Sequence, residues 1–317
     1  MLTKVNTFLQ RRIAILTPLS LILGVLFHQI GEQLLFLVSW LLAFITFAGS
    51  LNMNIRETRM VVRHPGVVLI SIAFLHILMP AWAYFLSSLV FNDQLLTVGF
   101  VLAVAVPTGV TSVIWVTLTK GNLPLCLSII LVDTLLAPIV MPAILHVVAG
   151  ERITIDTSSL IMNLIWMVLL PTLLGIALNE GSKGKIPSKL SPKLAPFSKL
   201  SLFGIVAING SAVAPYVQKF TWELVGIVGM VFFLAASGYA AALALSHIIW
   251  KNPEISSTFM FMGGMRNIAV GVVIATSYFP PKVAMPVVFG MLFQQVLASL
   301  YSKVADKYRT WITERVK

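Results

Sequence analysis

Residues 94–118, QLLTVGFVLAVAVPTGVTSVIWVTL, form an apolar stretch long enough to cross a ~30 Å hydrocarbon core. Its middle, Val106-Pro107-Thr108-Gly109-Val110-Thr111-Ser112, cannot be a quiet helix. Proline removes a backbone donor and glycine loosens the turn. Backbone groups freed inside a bilayer cannot face lipid, so they must line a cavity or meet a ligand. A second interruption, Gly263-Gly264-Met265-Arg266-Asn267, lies inside the apolar stretch 256–279.

Ten apolar stretches can be read in all: 13–30, 34–52, 66–91, 94–118, 123–149, 157–178, 198–216, 221–248, 256–279 and 283–304. Charged residues make up 10% of the chain, against roughly 25% in a soluble domain, so the chain reads as an integral membrane protein. Grouped in fives, the stretches put halves at 1–150 and 151–317, and each interruption falls in the fourth stretch of its half. An odd number of spans per half inverts the second half. Transporters with inverted repeats place their substrate at broken helices near the midplane. The fold expected is therefore all-α, with ten transmembrane helices as a 5+5 inverted repeat and broken helices four and nine. The longest connection, 180–199, holds five Lys and three Pro and reads as a linker between the halves.

The net charge of +11 suggests nucleic acid until the positions are considered. With the N-terminus placed in the cytoplasm, 18 Lys and Arg fall on the cytoplasmic side, among them Arg56 and the lysines of 183–199. Only Arg152, Lys219 and Lys282 fall opposite, and Arg266 lies between. This positive-inside bias predicts a multi-pass protein of the cell membrane with both termini cytoplasmic, bounded by lipid and not by nucleic acid. The basic tail Lys303–Lys317, with Trp311, reads as lying on anionic headgroups. The lone Cys126 makes no disulfide within the chain. No nucleotide loop, nucleophile triad or pair of metal ligands stands out, so neither an enzyme nor a cofactor or metal is expected.

Two charges, Asp133 and Arg266, sit in the middle of apolar stretches. Such a charge costs about 2.5–3.5 kcal/mol on insertion scales and persists where it has a use. Their opposite signs predict that they meet. Failing that, Asp133 is placed to bond backbone amides freed at the break in 94–118. His76 and His146 have no partner at ligand spacing and read as packing residues, with proton relay the alternative.

The segments at the two breaks carry a family resemblance. Pro107-Thr108-Gly109 through Lys120-Gly121-Asn122, and Gly264-Met265-Arg266-Asn267, resemble the fourth- and ninth-span signatures of the bile acid:sodium symporter family. Phe47 to Leu51, Met79-Pro80, Pro138 and Met285-Pro286 are similar too, so the likeness covers nearly the whole chain. It implies a panel domain of spans one, two, six and seven and a core domain of the rest. It implies that spans four and nine cross beside two sodium sites, and that organic anions move inward with sodium by alternating access.

Departures from that pattern fall on the ion ligands. The resemblance puts Met262 where the family has a glutamate and Arg266 where it has glutamine. Val113 stands for an asparagine, Cys126 and Ile130 for Ser and Thr, and Leu75 for a glutamine, while Ser112 is kept. Sodium needs hard oxygen donors, and most of these are hydrocarbon, thiol or thioether. Asp133 follows Cys126 and Ile130 at i+7 and i+3, on one helix face. We therefore expect a sodium-independent transporter of small organic anions, with Arg266 substituting for a sodium ion and Asp133 as its counter-charge or as a proton site. The family's one carboxylate and two sodium ions carry a local +1, which protonating Asp133 beside Arg266 restores.

Thr108, Gly109, Thr111, Ser112, Asn267 and Gln295 are the expected substrate contacts, offering hydroxyls, amides and freed N–H groups to an anion. Three rivals stand beside this reading. A conventional sodium symporter would use other ion ligands. An arsenite-carrier-like protein would want a cysteine in span four, where this chain has none. A receptor would bind the anion without moving it.

Overall fold

The computed structural model describes residues 2–54, 59–150, 156–217 and 221–316, and among them the regular structure is helical. The long helices are α1 (Ile13–Leu26), α2 (Phe36–Ser50), α3 (Pro65–Val90), α4 (Gln94–Ala105), α5 (Ser112–Leu118) and α6 (Leu123–Ala149). They continue as α7 (Thr157–Gly181), α8 (Lys185–Val217), α9 (Trp222–Ile249), α10 (Pro253–Gly264), α11 (Ile268–Tyr278) and α12 (Ala284–Val316). Short helices at Leu2–Arg11, His28–Gln33 and Arg59–Arg63 lie between or before them.

Helix starts follow from local chemistry. Asp93 accepts the Leu95 and Leu96 amides (2.9 and 3.1 Å) and caps α4, and Asn122 accepts from Leu125 (3.0 Å) to cap α6. Asn252, followed by Pro253 at the first helical position, caps α10, and Asp156 and Thr221 cap α7 and α9. Two prolines inside long helices leave a different mark. Pro80 and Pro171 cannot donate to the carbonyls four residues back, and the preceding turns, Phe74–Leu78 in α3 and Ile165–Leu169 in α7, open into π-helix.

Among the described residues, six helices are long and apolar enough to cross a membrane: α3, α6, α7, α8, α9 and Pro281–Glu314, which holds most of α12. The four other expected stretches are shorter or interrupted. The stretch 13–30 stops at Leu26 and bends at Phe27, and 34–52 gives a 15-residue helix. The stretches 94–118 and 256–279 are broken, as their Pro and Gly foretold. Ile77, Ile139, Val147, Leu174 and Phe233 point out of the bundle, exposed where a soluble protein would bury them.

Packing divides the helices into two groups. In the first, α8 lies along α1 and α2, and α7 along α2. In the second, α3 packs on α4, α4 on α6 and α12, and α9 on α10 and α12. Close approach depends on glycine at two seams. A Cβ at Gly24 would fall 1.9 Å from the Ala207 carbonyl oxygen, and one at Gly175 2.1 Å from Ser50 Oγ.

One expectation fails here. The linker at 180–199 is mostly the first half of α8. Nor does it divide the chain into fives, since five expected spans precede residue 150. Its hidden periodicity is carried by Pro187, Leu190, Ser191 and Leu194, which turn inward while the lysines between them face out. The basic stretch from Lys303 continues a long helix, with Lys303 and Lys307 exposed. It is the end of α12, and it returns to the protein: Tyr308 meets His247 Nδ1 (2.9 Å), and Arg309 Nη2 donates to the Thr119 and Lys120 carbonyls (2.8 and 2.7 Å). A cation there suits the C-terminal end of α5. The orientation charges Arg56, Arg152, Lys219 and Lys317, and the boundary between the halves after residue 150, lie at or outside the limits of the described residues.

Candidate functional site

The site is built where the two broken helices cross. Val106 is extended (φ −60°, ψ 148°), as a residue before proline prefers, and ends α4. Met265 is extended too (φ −109°, ψ 115°) and ends α10. The two breaks run antiparallel, with Thr108 facing Arg266. Gly109 N–H donates to the Met265 carbonyl (3.2 Å), and Asn267 N–H to that of Pro107 (2.7 Å). Part of the freed backbone thus pairs across the crossing. Gly109 is needed for it, because a Cβ would come 3.0 Å from the Arg266 carbonyl oxygen.

Asp133, 0% exposed on α6, anchors this crossing from the side. Its Oδ2 accepts the Thr108 N–H at 2.6 Å, and its Oδ1 lies 2.6 Å from His76 Nε2. His76 sits in the opened turn of α3, four residues before Pro80, and is itself buried. The expected ion pair between Asp133 and Arg266 is not formed. Both carboxylate oxygens are taken, one by the amide that the break frees and one by a histidine presented from the π turn.

Arg266 is 4% exposed, and its Nε, Nη1 and Nη2 have no hydrogen-bond partner. Arg266 lines a mostly apolar cavity with Met79, Phe100, Val104, Leu234, Gln294 and glycines 238, 263, 264 and 290. A Cβ at Gly264 would fall 2.3 Å from the ring of Tyr239, which stacks on Tyr301 with centroids 4.6 Å apart. Small residues here let a ring and a helix meet beside the cation.

The other sequence candidates divide. Thr108 Oγ1 and Ser112 Oγ are buried at the crossing without partners, while Thr111 and Asn267 are half-buried, and the Asn267 side chain does not cap α11. Gln295 accepts from Trp115 Nε1 (3.3 Å), whereas its neighbour Gln294 reaches the cavity of Arg266. Leu75, Cys126, Ile130 and Met262 are buried and Val113 half-buried, and none of the five supplies an oxygen from its side chain. As donors for a hard cation these side chains do not fit.

Sequence reasoning missed His76 as the partner of Asp133. The signal available was Pro80, whose missing N–H opens the turn that carries His76.

Away from the crossing, Lys282 bridges Asp93 and Glu223 (2.8 Å each), fastening the starts of α4 and α9 to the turn before α12. Burial pushes the Asp93 carboxyl up, but Lys282 and the two capping amides outweigh it and hold it below the ordinary aspartate value.

Comparison with known proteins identifies the family. The model of the Sodium Bile acid symporter family matches residues 39–220. The uncharacterized protein YbaS of Bacillus subtilis is 43% identical over 295 residues, covering 93% of this chain and 96% of YbaS. The uncharacterized sodium-dependent transporter YocS of the same organism is 24% identical over 308 residues, covering 96% of this chain and 95% of YocS. The probable sodium/metabolite cotransporter BASS1 of Oryza sativa, a chloroplastic protein, is 27% identical over 227 residues, or 71% of this chain and 55% of that one. With apolar helices in number and the family's match over more than half its length, this chain is a multi-pass membrane protein, a transporter and not an enzyme, and it belongs to the sodium bile acid symporter family.

Proposed function

We propose that this protein moves small organic anions across the cell membrane by alternating access, without sodium at the family's usual sites, and that Arg266 is a tethered cation that receives the anion. The observation that carries this is the guanidinium itself, buried with all three nitrogens unpartnered beside a cavity. A buried cation without acceptors is costly, and an anionic group with two or three oxygens would satisfy it. Thr108, Thr111 and Ser112 at the crossing, with Asn267 and Gln294, supply further donors, while the Gly109 N–H is taken by the Met265 carbonyl. The Arg266 charge stands where the resemblance places a sodium-site glutamine, and five former ligand positions carry no side-chain oxygen.

In this reading the ten apolar stretches are ten spans in two inverted halves, 1–150 and 151–317, with both termini cytoplasmic. The packing group of α1, α2, α7 and α8 is the panel and the remainder the core. Asp133 is the counter-charge to Arg266 across the crossing, without direct contact, or the site of a coupling proton.

The relatives' names favour a second reading, sodium symport through other ligands, since YocS is printed as sodium-dependent and BASS1 as a sodium/metabolite cotransporter. Counterflow in proteoliposomes separates the two. The probes are a labelled 2-oxo acid, pantoate, a bile acid and an alkyl sulfonate, each in sodium and in choline buffer. We expect exchange of at least one probe, equal in both buffers and lost in Arg266→Gln. Exchange that needs sodium would establish the second reading. Binding of a probe without exchange would make the protein a receptor.

A further inference from the structure

We propose that His76 is the proton-binding residue of this transporter, taking a proton at Nδ1 and passing its effect through Asp133 to the Thr108 amide at the crossing of the broken helices. The proposal rests on the transport reading above for its purpose, though its geometry stands apart from any substrate.

Three observations converge on it. His76 Nε2 lies 2.6 Å from Asp133 Oδ1, and because an ionised carboxylate can only accept, an ionised Asp133 makes the imidazole the donor. Nδ1 is buried and has no partner, so the neutral ring keeps a lone pair free on that atom. The other carboxylate oxygen holds the Thr108 N–H at 2.6 Å, and Thr108 faces Arg266 across the break. One carboxylate therefore joins a protonatable ring to the backbone of the crossing.

The step balances simply. A proton from hydronium adds to the Nδ1 lone pair, and neutral imidazole becomes imidazolium. The O–H bond that breaks is that of the hydronium donor, which leaves as water, and the carboxylate now accepts from a cation. A charged donor strengthens the bond at Oδ1 and draws electron density from Oδ2, weakening its hold on Thr108 N–H. Of the charged or titratable side chains on the elements around Asp133, His76 from α3 and Arg266 from the break after α10 bear on it.

Charge counting gives the proton a use. Asp133, neutral His76 and Arg266 sum to zero, and a proton on His76 makes the core +1. A monovalent anion at Arg266 returns it to zero. The empty core and the core holding one proton and one anion are then both neutral, which favours their crossing of the bilayer interior. Proton and monoanion would travel together.

The test uses full-length protein in lipid nanodiscs, labelled with ¹⁵N at histidine and at threonine amides. We expect the His76 ring to be the Nε2–H tautomer before acidification and to gain its second proton at Nδ1 as the sample is acidified. The Thr108 amide should shift with the same midpoint, and in His76→Gln that shift should vanish. A His76 ring that keeps one protonation state as the sample is acidified, or a Thr108 amide that ignores it, would overturn the proposal. Should His76→Gln not fold, the wild-type sample still decides, because both signals are read together. No substrate is needed, so failure here leaves the anion reading intact, and failure of counterflow leaves this titration unaffected.

Discussion

Asp133 and Arg266 are buried to nearly the same degree and carry opposite charges within one crossing, yet they are treated in opposite ways. The carboxylate has a donor on each oxygen, one from a side chain and one from the backbone. The guanidinium has no acceptor on any nitrogen. A buried charge with its bonds complete holds structure together, and one without them is poised for something that comes and goes. On the proposed reading, this difference puts Asp133 in the frame of the site and leaves Arg266 to the ligand.

The comparison is broken most severely at Asp133. Asp133→Leu leaves His76 and the Thr108 amide without their acceptor, and we predict a loss of about 3–5 kcal/mol in stability. His76→Leu should cost less. The double variant should lose less than the two single changes summed, with a coupling of about 0.5–3 kcal/mol by equilibrium unfolding in detergent. Additive losses would mean that the 2.6 Å contact carries nothing.

Arg266→Gln should do the reverse. With no bond to lose, it should leave unfolding stability unchanged or raised, while weakening anion affinity by about 10- to 150-fold, the worth of a charged hydrogen bond of roughly 1.5–3 kcal/mol. Binding of the exchanged anion probe, measured calorimetrically, checks this. A variant that unfolds as Asp133→Leu does would place Arg266 in the frame.

Gly264→Ala drives a methyl to 2.3 Å from the Tyr239 ring, and we expect overpacking of about 1–3 kcal/mol, read as a lowered melting temperature. The smallest effect belongs to the clasp. The folded Asp93 carboxyl titrates below the unfolded value of about 3.9, so it stabilises the protein above that pH and the contribution fades as pH falls through the folded value. Asp93→Asn keeps a capping oxygen and should flatten the acid limb of a stability–pH curve, without moving stability at pH 7 by more than about 1 kcal/mol.

What could be read from residues alone followed the range of the interactions. Pro107, Gly109 and the pair Gly263-Gly264 act within a turn, so both breaks were legible. The pairing of His76 with Asp133 spans 57 residues and depends on a turn widened by Pro80, a distortion with no periodic trace. Opposite sign suggested Arg266 as the partner of Asp133. Sign alone says nothing of which donor reaches first, and a freed amide and a histidine did. The helix through 185–199 was hidden because prolines on its inner face were taken for breakers. Gln294 and Gln295 are neighbours, and only packing decided which reaches the cavity.

The most direct measurement is thermal stability of purified wild type and Arg266→Gln in sodium, potassium and choline chloride at matched ionic strength. A bound ion stabilises by RT ln(1 + [L]/Kd), so a used sodium site must reveal itself. We predict one melting temperature for wild type in all three salts, and Arg266→Gln no less stable than wild type in any. Specific stabilisation of wild type by sodium would contradict the view that Arg266 has taken the ion's place.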